Sequence, residues 1–258
     1  MIELYSYSLG AIFLIGLAVI LIASEIGWRL GARSAGRAGG NVSTLESAIL
    51  GLLALIIGFT FAMALTRFEA RRAAVLNEAN AIGTTALRAR LLPEPQRMEI
   101  LKLLKEYVQI RVDIVESGHS LADLRPVVDR SNAIQEALWQ QAKALVAKDN
   151  SMVPTGLFIQ TLNEMIDDQE KRLAALRNRV PNVVLLGLFG IATIAGGFAG
   201  YASGLDPKRN RLPVYITGFL VSAVILLIFD LDRPSSGFIT NDQQSMIDVA
   251  ASIRAFPD

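Results

Sequence analysis

Four stretches of the chain stay apolar long enough to cross a bilayer. They are Leu9 to Ser24, continuing through Glu25 to Trp28; Ala48 to Thr66; Val183 to Leu205; and Pro213 to Phe229, which Asp230 and Asp232 close. A hydrocarbon core needs about 20 residues of helix at a rise of about 1.5 Å each. The second and third stretches carry no charge at all. No basic residue precedes the first, and it is long enough to span, so a retained helix is expected rather than a cleaved signal peptide.

Between the second and third spans the pattern changes. Residues 67–180 hold 17 of the 25 basic and 15 of the 24 acidic residues, so this insert belongs in water. Breaks stand at Leu92-Pro93-Glu94-Pro95, Glu116-Ser117-Gly118-His119-Ser120, Arg125-Pro126 and Asn150 to Pro154. Pro and Gly clusters of this kind end helices. They leave four helical stretches, roughly 67–92, 96–117, 126–148 and 155–180. In the first, Phe68, Val75, Ala79, Ile82, Ala86 and Ala89 recur at spacings of three and four. The second carries two stripes, Leu101, Leu104, Val108, Val115 and Ile100, Leu103, Tyr107, Ile110, Ile114. Two adjacent apolar faces predict a helix sandwiched between neighbours. In the fourth, Ile159, Leu162, Ile166, Leu173 and Leu176 predict a seam interrupted by Gln169. The insert therefore reads as a helical bundle or coiled coil.

No Pro separates the second span from the insert, so the two are expected to form one rod of about 45 residues. A similar continuation is expected where the fourth stretch meets the third span, with Pro181 either kinking the junction or opening a helix. The fold class is an all-α membrane protein. It divides into 1–66 (spans one and two), 67–180 (extramembrane helical domain), 181–233 (spans three and four) and a tail, 234–258.

Composition narrows the chemistry. Of 258 residues 52% are hydrophobic and only 19% charged, and a net charge of +1 leaves no electrostatic footprint for nucleic acid. No Cys and a single His exclude a thiolate nucleophile, a disulfide framework and a His-rich metal site. His119 lies in a Gly-Ser-rich turn and reads as a solvated loop residue. Asp167-Asp168 reads as a solvated helix face. No nucleotide fingerprint or catalytic triad is present, and no enzyme, cofactor or metal is expected.

Three patterns remain. Gly196, Gly200 and Gly204 repeat every fourth residue in the third span, the spacing at which helices approach closely in lipid; a hinge or a close approach to a pore is the alternative. In the second span Gly51, Leu55, Phe59 and Met63 lie along one face, with Leu52 and Ala62 beside it. That face is either ordinary lipid-facing or bundle-facing surface or a hydrophobic constriction that gates by dewetting when several copies ring an axis. Glu25 with Arg29, and Asp230 with Arg233, sit near span ends at spacings that allow pairing. An ion-coordinating or proton-relay role is the alternative for these carboxylates.

The run Ile57-Gly58-Phe59-Thr60-Phe61-Ala62-Met63-Ala64-Leu65-Thr66-Arg67-Phe68 resembles the second membrane helix of bestrophin channels. Over nearly its full length the chain more closely resembles a family of bacterial membrane proteins described as bestrophin-like. The matching segments are Glu46 to Arg72, Glu78 to Thr84, Leu91-Leu92-Pro93, and Asp230 to Gly237 with Asp242-Gln243-Gln244. This resemblance implies a homo-oligomeric, pentameric ion channel in a bacterial inner membrane, with lipid, inorganic ions and its own copies as partners. It implies a neck lined by Phe59, Leu55 and Gly51, where Leu52 supplies the bulk that Gly51 lacks. The acidic run that binds calcium after the fourth span of animal bestrophins is reduced here to Asp230 and Asp232, so calcium gating is not expected. Phe68-Glu69 replaces the Trp pair expected after Thr66-Arg67.

Orientation stays open. Arg29, Arg33 and Arg37, with Lys208, Arg209 and Arg211, draw the two short loops to the cytoplasm, whereas bestrophins keep the insert there. Two further readings stand beside the channel. A membrane-anchored helical scaffold would bind a partner through the insert. A secondary transporter would need mid-membrane polar clusters and an inverted repeat, neither of which the spans show.

Overall fold

The computed structural model describes residues 5, 7–35, 41–116, 125–148, 151–206, 210–234 and 237–256. His119 and its turn, Glu3, Arg37, Asn150, Lys208, Arg209, Ser235 and Ser236 lie outside the described residues, as do the side chains of Ile114, Val115 and Glu116. Eight α-helices are described: α1 (Leu9–Arg33), α2 (Val42–Ala89), α3 (Gln96–Glu116), α4 (Arg125–Val146), α5 (Leu157–Arg177), α6 (Asn182–Gly204), α7 (Leu212–Asp232) and α8 (Gln244–Arg254). A π-type turn, Met152–Gly156, leads into α5. No strand occurs among the described residues. Two compact units result: a membrane unit of 1–67, 179–233 and 237–239, and a bundle unit of 68–178, 234–236 and 240–258.

The four apolar helices are α1, α2, α6 and α7, each long enough to span a bilayer. Ser8 starts α1 by accepting a hydrogen bond from the Ala11 amide at 3.2 Å. Pro213 lies in the first turn of α7, where the missing N–H is harmless. In α2 the expected rod forms: 48 residues run without interruption. The matching continuation at the other end does not form. Helix α5 stops at Arg177, and Pro181 is the N-cap residue of α6. A proline there cannot donate back along a continuous helix, so the chain leaves helical geometry and restarts.

Within the membrane unit α1 and α6 run parallel. Gly16 faces Phe189, Ser24 faces Gly200 and Trp28 faces Gly204, in ascending order on both helices.

The bundle unit is built on the part of α2 from Phe68 onward with α3, α4, α5 and α8. Its core includes Ile82, Ala86, Leu104, Tyr107, Leu138, Phe158, Leu162 and Met165. Both predicted stripes of α3 are buried, through Leu101, Leu104, Val108 and through Ile100, Tyr107, Ile110. The α5 seam is turned from the predicted one. Phe158, Leu162, Met165, Gln169 and Leu173 are buried, while Ile159, Ile166 and Leu176 are half-buried. Gln169 and Arg172 belong to the interior, and that rotates the helix towards them. The tail contributes α8, which the sequence pattern had not shown. Its Met246, Ala250 and Ile253 complete the core.

Candidate functional site

The membrane portion of α2 has one packed and one bare face. Leu53, Thr60 and Ala64 are buried, and Thr60 returns its hydroxyl to the Ile56 carbonyl at 2.7 Å. On the other side Leu52 is 50%, Leu55 53% and Phe59 65% exposed. Met63 is half-buried, and Gly51 is exposed. At 100° per residue Leu52, Leu55, Phe59 and Met63 fall within one side of the helix. These large apolar side chains rest on little of their own chain.

The glycine pattern of α6 meets its partner on α1. A Cβ on Gly200 would collide with the Ser24 carbonyl oxygen, and one on Gly204 with that of Trp28. The reverse holds for Gly27 against Gly197 and Gly31 against the Tyr201 carbonyl. Gly196 is looser: its Cβ would meet Ile20 and Ser24 side chains at 3.0 Å. Backbones thus touch over two turns, the close approach that small residues allow in lipid. Gly27 and Gly31 repeat at the same spacing of four, a pattern that the polar Trp28-Arg29 end of the span masks in the sequence.

Glu25 is the hub of the charges near the end of α1. It accepts from Arg29 Nε at 2.8 Å, from Tyr215 Oη at 2.7 Å and from Arg211 Nη1 at 3.4 Å. Arg211 also lies 3.4 Å above the centre of the Trp28 ring. A carboxylate in an apolar helix is thereby neutralised by its own chain.

At the opposite end of the unit the two aspartates each have a structural task. Asp230 accepts from the Phe238 amide at 2.8 Å and the Ile239 amide at 3.0 Å. Gly237, just before Phe238, has φ of 151°, and any side chain there would strike Asp230 Oδ1. Arg233, which spacing places as the partner of Asp230, instead donates to the Tyr7 carbonyl. Asp232 accepts from the Tyr5 hydroxyl and from the Val180 amide at 2.9 Å. Burial and the bond to Asp232 raise the Tyr5 phenol above its ordinary value. The guanidinium of Arg179 caps the Tyr5 ring at 4.7 Å. Among the described residues no group of three or more His, Asp or Glu side chains could hold a metal ion.

The bundle unit contains a polar centre. Glu78 is fully buried on α2. Arg111 Nε stands 2.7 Å from its Oε1, and Arg172 Nη1 donates to its Oε2 at 2.7 Å. Tyr107 donates to Gln169 at 2.8 Å; Gln135 donates to Gln169 at 3.0 Å; Gln169 donates to Asn132 at 2.9 Å. Arg172 Nη2 reaches Gln243 at 3.1 Å, tying in the segment before α8. Burial, with the Glu78 charge beside it, raises the Tyr107 phenol. Burial lowers Arg172, whereas the Glu78 charge holds Arg111 up against the same burial. Both guanidiniums remain charged at neutral pH. The signal was in the sequence: Glu78 falls on the stripe of Val75, Ala79 and Ile82, where a charge has to be matched from inside.

Residues 12–245 match the family model described as the bestrophin-like domain. No curated protein matches the chain. A bacterial bestrophin homolog from Klebsiella pneumoniae is similar over 95% of this chain and 96% of its own, with a TM-score of 0.66 at 16% identity. Two single-substitution structures of that homolog give TM-scores of 0.67 and 0.68 at 18% and 15% identity. They cover 96% and 95% of this chain and 98% and 99% of theirs. At these identities the likeness is one of fold, and the family match over most of the sequence supplies the rest: this chain is a membrane protein of the bestrophin-like family.

Proposed function

We propose that the chain is one subunit of a homo-oligomeric ion channel, a pentamer in a bacterial inner membrane, that conducts passively. In this reading Leu52, Leu55, Phe59 and Met63 of every subunit face a common axis and form a hydrophobic neck. The observation that carries it is the bare apolar face of α2, whose opposite side is packed. Apolar rings of this kind oppose ion passage by excluding water until the neck widens or turns. The family and the fold of the bestrophin homolog support the same assignment. Asp230, Asp232 and Glu25 act in it as structural groups, since protein donors already engage each carboxylate.

The test is ion flux through the purified protein in liposomes. Wild type is compared with Phe59→Ala and Leu55→Ala, in sodium, potassium and chloride gradients. Faster flux in the two variants supports a neck at α2, and the ion series gives the selectivity. Folded, oligomeric protein without flux in any variant overturns the channel reading in favour of a membrane-anchored scaffold.

A further inference from the structure

The bundle unit carries two exposed patches with opposite charge and the same layout. The first is the cleft where α2 ends and α3 begins, about 780 Å³ in volume. Leu91 and Met98 supply apolar surface there, each more than half exposed. Exposed Lys102 follows along α3, with half-buried Lys105, whose ammonium donates to the Phe256 carbonyl at 3.4 Å. Arg90 and Arg97 also line the cleft, Arg97 paired with Glu94, and the one acid in the lining is Glu99. The second patch starts at Met152 and Val153, again more than half exposed, and continues along α5 through Glu164 and Asp167.

The two patches share a register. Helices α3 and α5 run in the same direction, both opposite to α2: Arg88 near the end of α2 bonds Leu157 at the start of α5, and Glu78 bonds Arg172 near its end. Tyr107 of α3 and Gln169 of α5 meet in the core at 2.8 Å and so mark one level. Lys102 and Glu164 each lie five residues before that level, about 7.5 Å along the helix. Lys105 and Asp167 each lie two residues before it, about 3 Å. The apolar ends of both patches lie beyond them in the same direction. At 100° per residue these charged positions are about 140° and 160° around their helices from the core-facing residue. The patches therefore look outward on opposite sides of the bundle.

We propose that the α2–α3 cleft of one copy receives the Met152 to Asp167 face of the next copy. This rests on the oligomeric reading above and specifies how the ring is joined. Unlike patches on opposite sides cannot close a two-fold dimer; they join head to tail, and closure gives a ring. Rotation about an axis along the bundle preserves depth. It brings Lys102 opposite Glu164, Lys105 opposite Asp167, and apolar end against apolar end. The excess of basic residues in one patch meets an excess of acidic residues in the other, which selects this register over a slipped one.

The chain has no Cys, so engineered thiols report without background. The full-length protein carrying both Lys102→Cys and Glu164→Cys is oxidised in membranes and run without reductant. A ladder from dimer to closed ring is expected, because the two thiols of one chain face apart. Neither single variant should cross-link alone, and the two single variants co-expressed should stop at the dimer. Asp167→Lys added to the double-Cys chain should abolish the ladder, and Lys105→Glu added to that chain should restore it. If native mass spectrometry shows an oligomer but no ladder forms, this interface is wrong and the channel reading stands. If it shows a monomer, both fall.

Discussion

Replacing Glu78 by Gln removes one negative charge from a site that no water reaches. The carboxylate is fully buried, and it is the ion-pair partner of two guanidiniums that are themselves 1% and 5% exposed in their side chains. Gln keeps the shape and one acceptor oxygen, but its NH2 must face an arginine donor. Breaking a buried pair from one side costs about 3–5 kcal/mol, because the remaining charge stays desolvated. For a chain of this size each kcal/mol moves the melting temperature by about 2–4 °C. The expected loss is therefore about 6–20 °C. Glu106→Gln is the control: Arg130 is equally close, at 2.8 Å, but the two side chains are 64% and 45% exposed. Such a pair is worth about 0–1 kcal/mol, so its loss should stay under about 4 °C. The assay is thermal unfolding of the detergent-solubilised full chain by far-UV circular dichroism at one fixed scan rate. Equal shifts for the two variants would refute the argument that burial decides what these ion pairs contribute.

Two further outcomes are expected. Gly200→Ala should destabilise by about 1–3 kcal/mol or more, since the new methyl overlaps the Ser24 backbone, whereas Gly190→Ala, which has open space, should be neutral or stabilising. Denaturant unfolding of both beside wild type checks this. The raised Tyr107 phenol gives a stabilising contribution that is complete below the unfolded phenol value of about 10 and is lost as pH rises beyond it. Tyr107→Phe should therefore show a shallower loss of stability between pH 10 and 12 than wild type, measured by the same unfolding assay.

Much of the architecture could be read from the sequence because membrane spans and bundle faces are written in periodic apolar positions. The uninterrupted α2 follows from the lack of any Pro between Val42 and Ala89. What escaped was set by partners far along the chain. The seam of α5 turned because Arg172 is drawn inward by Glu78, ninety-four residues away. Helix α8 has only three core residues, Met246, Ala250 and Ile253, too few to stand out in an 11-residue stretch. Asp230 and Arg233 have a plausible spacing for each other, but the amides of Phe238 and Ile239 and the Tyr7 carbonyl offer better geometry. In the neck candidates the sequence shows an apolar face, and a single chain leaves that face open.

The contact between α1 and α6 has a mechanical consequence. Side chains that interdigitate can change rotamer and let two helices slip past each other. Where Gly27, Gly31, Gly200 and Gly204 bring main chain against main chain, there is no deformable layer left to shear. The pair moves as one stiff plank, and whatever motion the membrane unit makes has to be taken up at its other helix contacts. In a saturation-mutagenesis library selected for folded protein, these four positions should stand out as gaps that accept no larger residue, spaced one turn apart on each helix.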